Sequence, residues 1–305
     1  MWPYDSRSMR EASRTHDKVN SQRCEQLSRL NDTTACMIQN AAFLTDEIID
    51  VLPMLLLLRE GAGGVFLEIG ASTGMDGSQT LALERCFVWH GLLVEAQPQT
   101  FAKLQASPRT SAKIWAAACP DGEHVHMTNE SHQRAAYIKT ASSKALVASV
   151  PVPCREIRGI MRSEGLSRLH FASVDVQGAE LGVLQTMDFD AVDVLMVEAE
   201  GMDVNSQMRI QRVQTHIHQR GLMAVPLDLP STPRFHNAYN ELYVQPALAN
   251  LSASRPSQVY ARAVCAKHKL PVHCRAGYHH RPLAQRIHEA LSVWKSLEIK
   301  APCTD

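Results

Sequence analysis

Between Val65 and Val244 the chain returns again and again to short apolar runs separated by amphipathic stretches. The runs at 65–69, 91–96, 112–119, 169–174 and 192–199 each have the length of one buried parallel strand. Two more, at 222–227 and 239–244, follow as a pair. Between them, 78–86, 98–104, 152–164 and 204–220 read as helices, and Gly178 opens another that carries Leu181 and Leu184. Gly77 or Ser78 is the expected N-cap of the first, and Pro98 suits the first turn of the second. In the third, Ile157, Ile160 and Met161 fall inward on the 3.6-residue period, and Gly165 is its expected C-cap. His124 to Met127 reads as a short edge hairpin. Five strand–helix units followed by a strand pair predict an α/β fold: a Rossmann-like, doubly wound, seven-stranded, mostly parallel sheet.

Outside this pattern the signals weaken. Residues 1–45 form a polar lead-in, 46–247 the domain, and 248–305 a basic, His-rich extension with one amphipathic helix at 283–297. The apolar segment 46–58 reads as a helix docked on the sheet, with Pro53 kinking it. The polar, aperiodic stretch 129–150 has the length of a lid or binding loop.

The glycine-bearing turn at 70–77 carries the first chemistry. A strand, a tight glycine turn and a helix form the usual cradle for a nucleotide. Here Glu68 ends the strand, and the spacing is Glu-x-Gly-x-Ser-x-Gly through Gly70, Ser72 and Gly74. A fixed carboxylate would repel a pyrophosphate but suits a cationic amino-acid or sulfonium ligand. That points to S-adenosyl-L-methionine rather than NAD. Glu95 ends the second strand, roughly 20 residues beyond the loop, where an acid bonds ribose hydroxyls. Asp175 and Glu198 end the fourth and fifth strands. In such sheets ligands sit outside the strands' carboxyl ends, so Gly70 and Asp175 share one crevice.

Composition narrows the class further. The chain is 45% hydrophobic with formal net charge +0 and no long charged block, which argues against a nucleic-acid partner. Its eight cysteines lack CxxC pairs, so buried free thiols, Cys86 and Cys119 among them, and a reducing, cytoplasmic setting are expected. No signal peptide or transmembrane segment is visible, although sequons at Asn31, Asn129 and Asn250 leave a lumenal setting open. Cys265, His268, His273, Cys274, His279 and His280 match no standard zinc module, so no metal site is expected.

Three motifs in order carry a resemblance. They are Phe-Leu-Glu-Ile-Gly-x-x-x-Gly-x-Asp-Gly-Ser-x-Thr-Leu-x-Leu-Glu, Trp-x-Gly-Leu-Leu-x-Glu-Ala-x-Pro and Asp-Val-x-Gly-Ala-Glu-x-x-Val-Leu, starting at Phe66, Trp89 and Asp175. Over residues 65–245 the chain resembles the FkbM family of S-adenosylmethionine-dependent methyltransferases. The resemblance implies a class I methyltransferase fold and methyl transfer to a hydroxyl of a small molecule or sugar. It implies that Glu68, Gly70, Ser72 and Gly74 line the methionine end of the cofactor, that Glu95 binds ribose, and that Cys119 and Asp121 lie by adenine. Asp175 falls where the methyl group meets its acceptor, as a cofactor ligand or as the base. Glu198 is the second candidate base and His170 the third. Gln177 departs from the family, which commonly has Glu there, and this weakens any metal or general-base role at that position. A non-catalytic binding protein that keeps the fold is the alternative reading.

Overall fold

The computed structural model describes residues 36, 37, 40, 48, 51, 52, 54, 55, 58, 59, 63–121, 124–128, 138–139, 149–199, 203–225 and 240–248. The expected lead-in before residue 36, most of the 129–150 stretch, the Pro-rich loop and the C-terminal extension with its helix and histidines lie outside the described residues. So do the three sequons.

The main sheet is built from β1 (Val65–Ile69), β2 (His90–Glu95), β3 (Ala112–Trp115), β8 (Phe171–Val174), β9 (Val194–Glu198), β10 (Met223–Val225) and β11 (Asn240–Val244). Their order is β10-β11-β9-β8-β1-β2-β3, with β11 antiparallel to both neighbours and the other pairings parallel. This is the doubly wound, seven-stranded sheet expected. The chain winds outward from β1 to β3, then returns to β8 on the other side of β1. The switch point therefore lies between β1 and β8.

Strand parity sorts the core into two layers. Phe66, Leu93, Phe171, Val194, Met196, Leu242 and Val244 face one layer, packed by the helical residues Ile48, Val51, Leu52, Met54 and Leu55 and by α1 (Leu81–Phe87). Leu67, Ile69, Leu92, Val94, Ala172, Val174, Leu195, Val197 and Tyr243 face the other. That layer is closed by α3 (Ile157–Ser163), α4 (Glu180–Gln185) and α5 (Val204–Gln219). The remaining helix, α2 (Pro98–Ala106), follows β2 and buries Leu104 in the first layer. Among the described residues no helix is long and apolar enough to cross a membrane.

A second sheet has the order β4-β7-β5-β6, made of β4 (Ala117–Ala118), β5 (His124–Thr128), β6 (Ile138–Lys139) and β7 (Ser149–Arg155). It corrects three expectations. The run 112–119 breaks at Ala116 into β3 and β4. Residues 124–127 are not at an edge: β5 lies inside the second sheet, antiparallel to both β6 and β7. Residues 152–155 are strand, and the helix begins only at Ile157. Pro151 and Pro153 lack the N–H that a helix interior would use, and they lie in β7 opposite His126 and His124. Inside the expected lid stretch, Ile138–Lys139 and Ser149–Val150 are strand.

The cysteine expectation is also overturned. Cys36 is bonded to Cys86, tying the N-terminal helical residues to α1, and Cys119 is bonded to Cys154, tying β4's exit to β7. The partners lie 50 and 35 residues apart, so no local spacing betrays them. Paired cysteines belong to chains that mature in oxidising surroundings, which removes the ground for expecting a reducing cytoplasm.

One buried cation fixes the turn between β1 and α1. The Arg109 side chain has 0% exposure. It donates to Glu84 Oε2 at 3.0 Å, to the Gly74 carbonyl at 2.8 Å, to Ser78 Oγ at 3.0 Å and to Thr80 Oγ1 at 2.8 Å. Glu68 Oε2 lies 3.9 Å away, and the Phe66 ring lies beneath the guanidinium at 5.7 Å. Burial pushes the Glu84 carboxyl up, but the Ser111 hydroxyl, Arg109 and the Thr110 amide together bring it below the ordinary carboxylate value. Removing the cation leaves buried carboxylates uncompensated, so Arg109→Met should destabilise the fold by about 3–5 kcal/mol. Urea unfolding would register this as a lower midpoint, and an unchanged midpoint would refute the role. Iodoacetamide applied to the unreduced, denatured chain should leave Cys36, Cys86, Cys119 and Cys154 unmodified until dithiothreitol is added, as read by peptide mass spectrometry.

Candidate functional site

The site is a row across the carboxyl ends of the main sheet. Glu95 pairs with Trp115, and Glu198 pairs with Asn240. Ile69 pairs with Val94 and with Val174, and Val174 with Val197. One step further along these parallel strands, Glu95, Gly70, Asp175 and Glu198 stand in one register. The crevice expected from Gly70 and Asp175 is therefore present, with two more carboxylates in line.

Gly70 is where backbone meets backbone. Its φ is +81°, and a Cβ there would lie 1.8 Å from the Asp175 carbonyl oxygen. The Asp175 amide donates to the Ile69 carbonyl at 3.0 Å, while the Gly70 and Ala71 amides both donate to the Val94 carbonyl. The loop is thereby clamped between β8 and β2, with no room for any side chain but glycine's. Ser72 follows at φ +51° and donates its amide to Glu95 Oε2 at 2.8 Å. The Gln97 amide takes Glu95 Oε1 at 2.7 Å. Burial pushes the Glu95 carboxyl up, the Gln97 and Ser72 amides oppose this, and nearby Asp175 adds to the rise. Each Glu95 oxygen accepts one of these bonds and retains capacity for another. Beside it, Thr73 Oγ1 is buried with no protein partner. An orphaned hydroxyl and a carboxylate with spare acceptor capacity fit a ligand rich in hydroxyl and amino groups.

Other expected residues turn elsewhere. Glu68 is 4% exposed and points into the first core layer. Its carboxylate accepts from the Ser78 hydroxyl at 2.8 Å, from the Thr80 hydroxyl and from the Gln79 amide at 2.9 Å. Burial pushes its carboxyl up against the opposing pull of Arg109 and these donors. Ser78 Oγ in turn accepts from the Thr80 and Leu81 amides just ahead of α1. That helix begins only at Leu81, so its N-cap is Thr80 and not Gly77 or Ser78 as expected. At Gly74 the space of a Cβ is taken by Leu104 and Arg109. Cys119 lies in its disulfide, and Asp121 Oδ1 accepts the Glu156 amide at 2.7 Å, ahead of α3. His170 is removed from the crevice altogether. Its Nδ1 accepts the Val65 amide at 2.9 Å at the opposite end of β1, which rules out its use as the base.

At the ends of β8 and β9, Asp175 and Glu198 are brought together by a residue noted in the sequence only as a departure. Gln177 Nε2 donates to Asp175 Oδ1 at 3.0 Å and to Glu198 Oε2 at 2.7 Å. Glu180, buried beneath them, accepts the Gly178 amide at 2.6 Å and faces Arg209 Nε at 3.7 Å. Burial pushes the Glu180 carboxyl up. Arg109, Thr73 and Trp115 were not foreseen. Arg109 sits singly in a Ser-Pro-Arg-Thr-Ser loop with no periodic signal. The position of Trp115 in the row follows only from the β2–β3 register.

A sequence profile described as the Methyltransferase FkbM domain matches residues 68–221, just over half of the 305 residues. Among curated proteins none matches the chain in sequence. Several solved structures are similar. A fibrillarin from Aeropyrum pernix with natively bound S-adenosyl-L-methionine is 10% identical over 60% of this chain and 67% of that one, with a TM-score of 0.38. An O-methyltransferase from Bacillus cereus in complex with SAH is 11% identical over 72% and 91%, with a TM-score of 0.40. A putative caffeoyl-CoA O-methyltransferase from Staphylococcus aureus is 9% identical over 75% and 98%, with a TM-score of 0.38. These likenesses are distant, and family membership rests on the sequence profile, whose span takes in the glycine loop, Glu95, Asp175 and Glu198. The chain belongs to the FkbM methyltransferase family, and its cofactor is S-adenosyl-L-methionine.

Proposed function

We propose that the chain is an O-methyltransferase acting on a hydroxyl of a small molecule or a sugar, with residues 46–247 as its catalytic unit. The observation that carries this reading is the pair of carboxylates, Asp175 and Glu198, held side by side by Gln177 at the ends of adjacent strands. When bound, the cofactor supplies a methyl group on a sulfonium, already electrophilic and needing no metal. Positioning is then the protein's main task, and alignment can supply much of the barrier reduction.

Glu95 is the residue we assign to the ribose hydroxyls. Its carboxylate is pre-aimed by the Ser72 and Gln97 amides and needs no reorganisation on binding. Thr73 Oγ1 and the backbone of the 70–74 loop are assigned to the amino-acid end. Glu68 we place behind that loop, where it shapes the turn and touches no ligand. Cys119 and Asp121 keep their assignment near adenine through the loop they anchor. A hydroxyl acceptor must lose a proton as it attacks, and Asp175 is our base, with Glu198 accepting a second hydrogen bond from the acceptor.

Glu95→Gln preserves shape but replaces a charged acceptor, and should weaken binding of S-adenosylhomocysteine by about 1.5–3 kcal/mol in isothermal titration. Undiminished affinity would remove the ribose assignment. Asp175→Asn should leave that affinity nearly intact while transfer of labelled methyl groups to a panel of sugars and phenols falls by roughly 10²–10⁴. Parallel loss of binding would make Asp175 a cofactor ligand instead. Wild-type protein that binds the cofactor but methylates only amines or carbon acids would refute the hydroxyl specificity.

A further inference from the structure

We propose that Gln177 is a positioning residue that stands where a cation would otherwise be needed between Asp175 and Glu198. The inference rests on the reading of those carboxylates as the acceptor end of the site. One amide nitrogen carries two N–H donors, and here each is directed at a different carboxylate, at 3.0 and 2.7 Å. Which end of the carboxamide faces them follows from the partners, since a carbonyl oxygen would be repelled by both anions.

The backbone holds this arrangement from both sides. Gln177 has φ +52°, in the left-handed region that side chains other than glycine's rarely adopt. Before it, Asp175 is fixed by its amide bond to Ile69 and by the close approach of Gly70. After it, the Gly178 amide is held by the buried Glu180 carboxylate, which Arg209 faces from α5. The turn between these anchors sends the Gln177 side chain back across the strand ends, where it spans β8 and β9. The side chain is exposed, so no packing in the core accounts for the conformation.

The carboxamide links two anions without a charge of its own. It fixes their separation. A carboxylate at the same position would bring three anionic oxygens to one point, and such sets take up hard divalent cations. Gln177 therefore makes the acceptor end independent of a divalent metal, and one substitution should reverse this.

The test is a titration with Mn²⁺, followed by the electron paramagnetic resonance signal of the free ion. The samples are wild type, Asp175→Asn, Gln177→Glu, and Gln177→Glu combined with Asp175→Asn. Wild type should show no uptake that depends on Asp175. Gln177→Glu should bind one further Mn²⁺ at least tenfold more tightly than any site in the wild type, and the double variant should lose that gain. Uptake by the wild type that Asp175→Asn abolishes would overturn the proposal, as would a Gln177→Glu protein indistinguishable from wild type. Gln177→Asp provides a second carboxylate of shorter reach should the first variant misfold by circular dichroism. Calorimetry with S-adenosylhomocysteine on the same samples reports separately on the methyltransferase reading. A wild type that fails to bind it would sink that reading while the metal comparison stays legible.

Discussion

The fully buried Arg109 guanidinium is the constraint on which the rest of the site depends. Taking a cation out of water is costly, and the attraction of a single partner rarely offsets it. Here the offset is collective: two carboxylates, two hydroxyls, one carbonyl and an aromatic face surround it. Only a planar fork can reach the 74–80 turn with several donors at once while its edge meets Glu84, and a lysine ammonium could not. Because Arg109 arrives from the loop between α2 and β3, it ties the β2–α2 unit to β1, α1 and the glycine turn between them. The turn's geometry is thus a property of the assembled layer, not of its glycines alone.

That anchoring decides which face of the turn is left for a ligand. With Glu68 enclosed and the space behind Gly74 filled by Leu104 and Arg109, the inner face of the loop is spent on packing. On the other side Ser72 is held by Glu95 at the end of β2, and Thr73 Oγ1 is buried with no protein partner. Close approach of Gly70 to Asp175 then brings the glycine loop and Glu95 next to the Asp175–Glu198 pair.

Much of this was legible from residues alone. Short apolar runs at 65–69, 91–96 and 192–199 gave the strands, and an acid near the end of each gave Glu95 and Glu198 their place. The same rule misassigned Glu68. Parity, read strictly, puts it on the Phe66 face and under α1, and only the acids one register further on reach the crevice. Residues 152–155 were read as helix because their apolar spacing suits both periods, and the prolines could be weighed only with β5 as partner. The disulfides escaped because Cys36–Cys86 and Cys119–Cys154 depend on contacts between distant segments. Gln177 was visible as an unusual residue, but its two-anion bridge needed the β8–β9 register.

The charge arithmetic of the row bears on why its base should be an acid at all. Glu95, Asp175 and Glu198 end β2, β8 and β9 in a half-buried crevice, where charges interact more strongly than in water. A sulfonium donor brings a positive charge to these anions, and methyl transfer removes it. If Asp175 takes the acceptor's proton, one negative charge disappears in the same event, so the crevice loses a pair of opposite charges and never has to separate one. A neutral histidine in that role would become a cation and leave three carboxylates ionised, keeping a charged pair where solvent is scarce. His90 and His170 both lie at the amino ends of the central strands, His90 opening β2 opposite Val65 and His170 just ahead of β8. His170 is spent at the amino end of β1, where accepting the Val65 amide requires it unprotonated at Nδ1, and burial lowers its pKa to match. Placing the acids at the carboxyl ends and the imidazole at the amino end thus agrees with a reaction that consumes a cation.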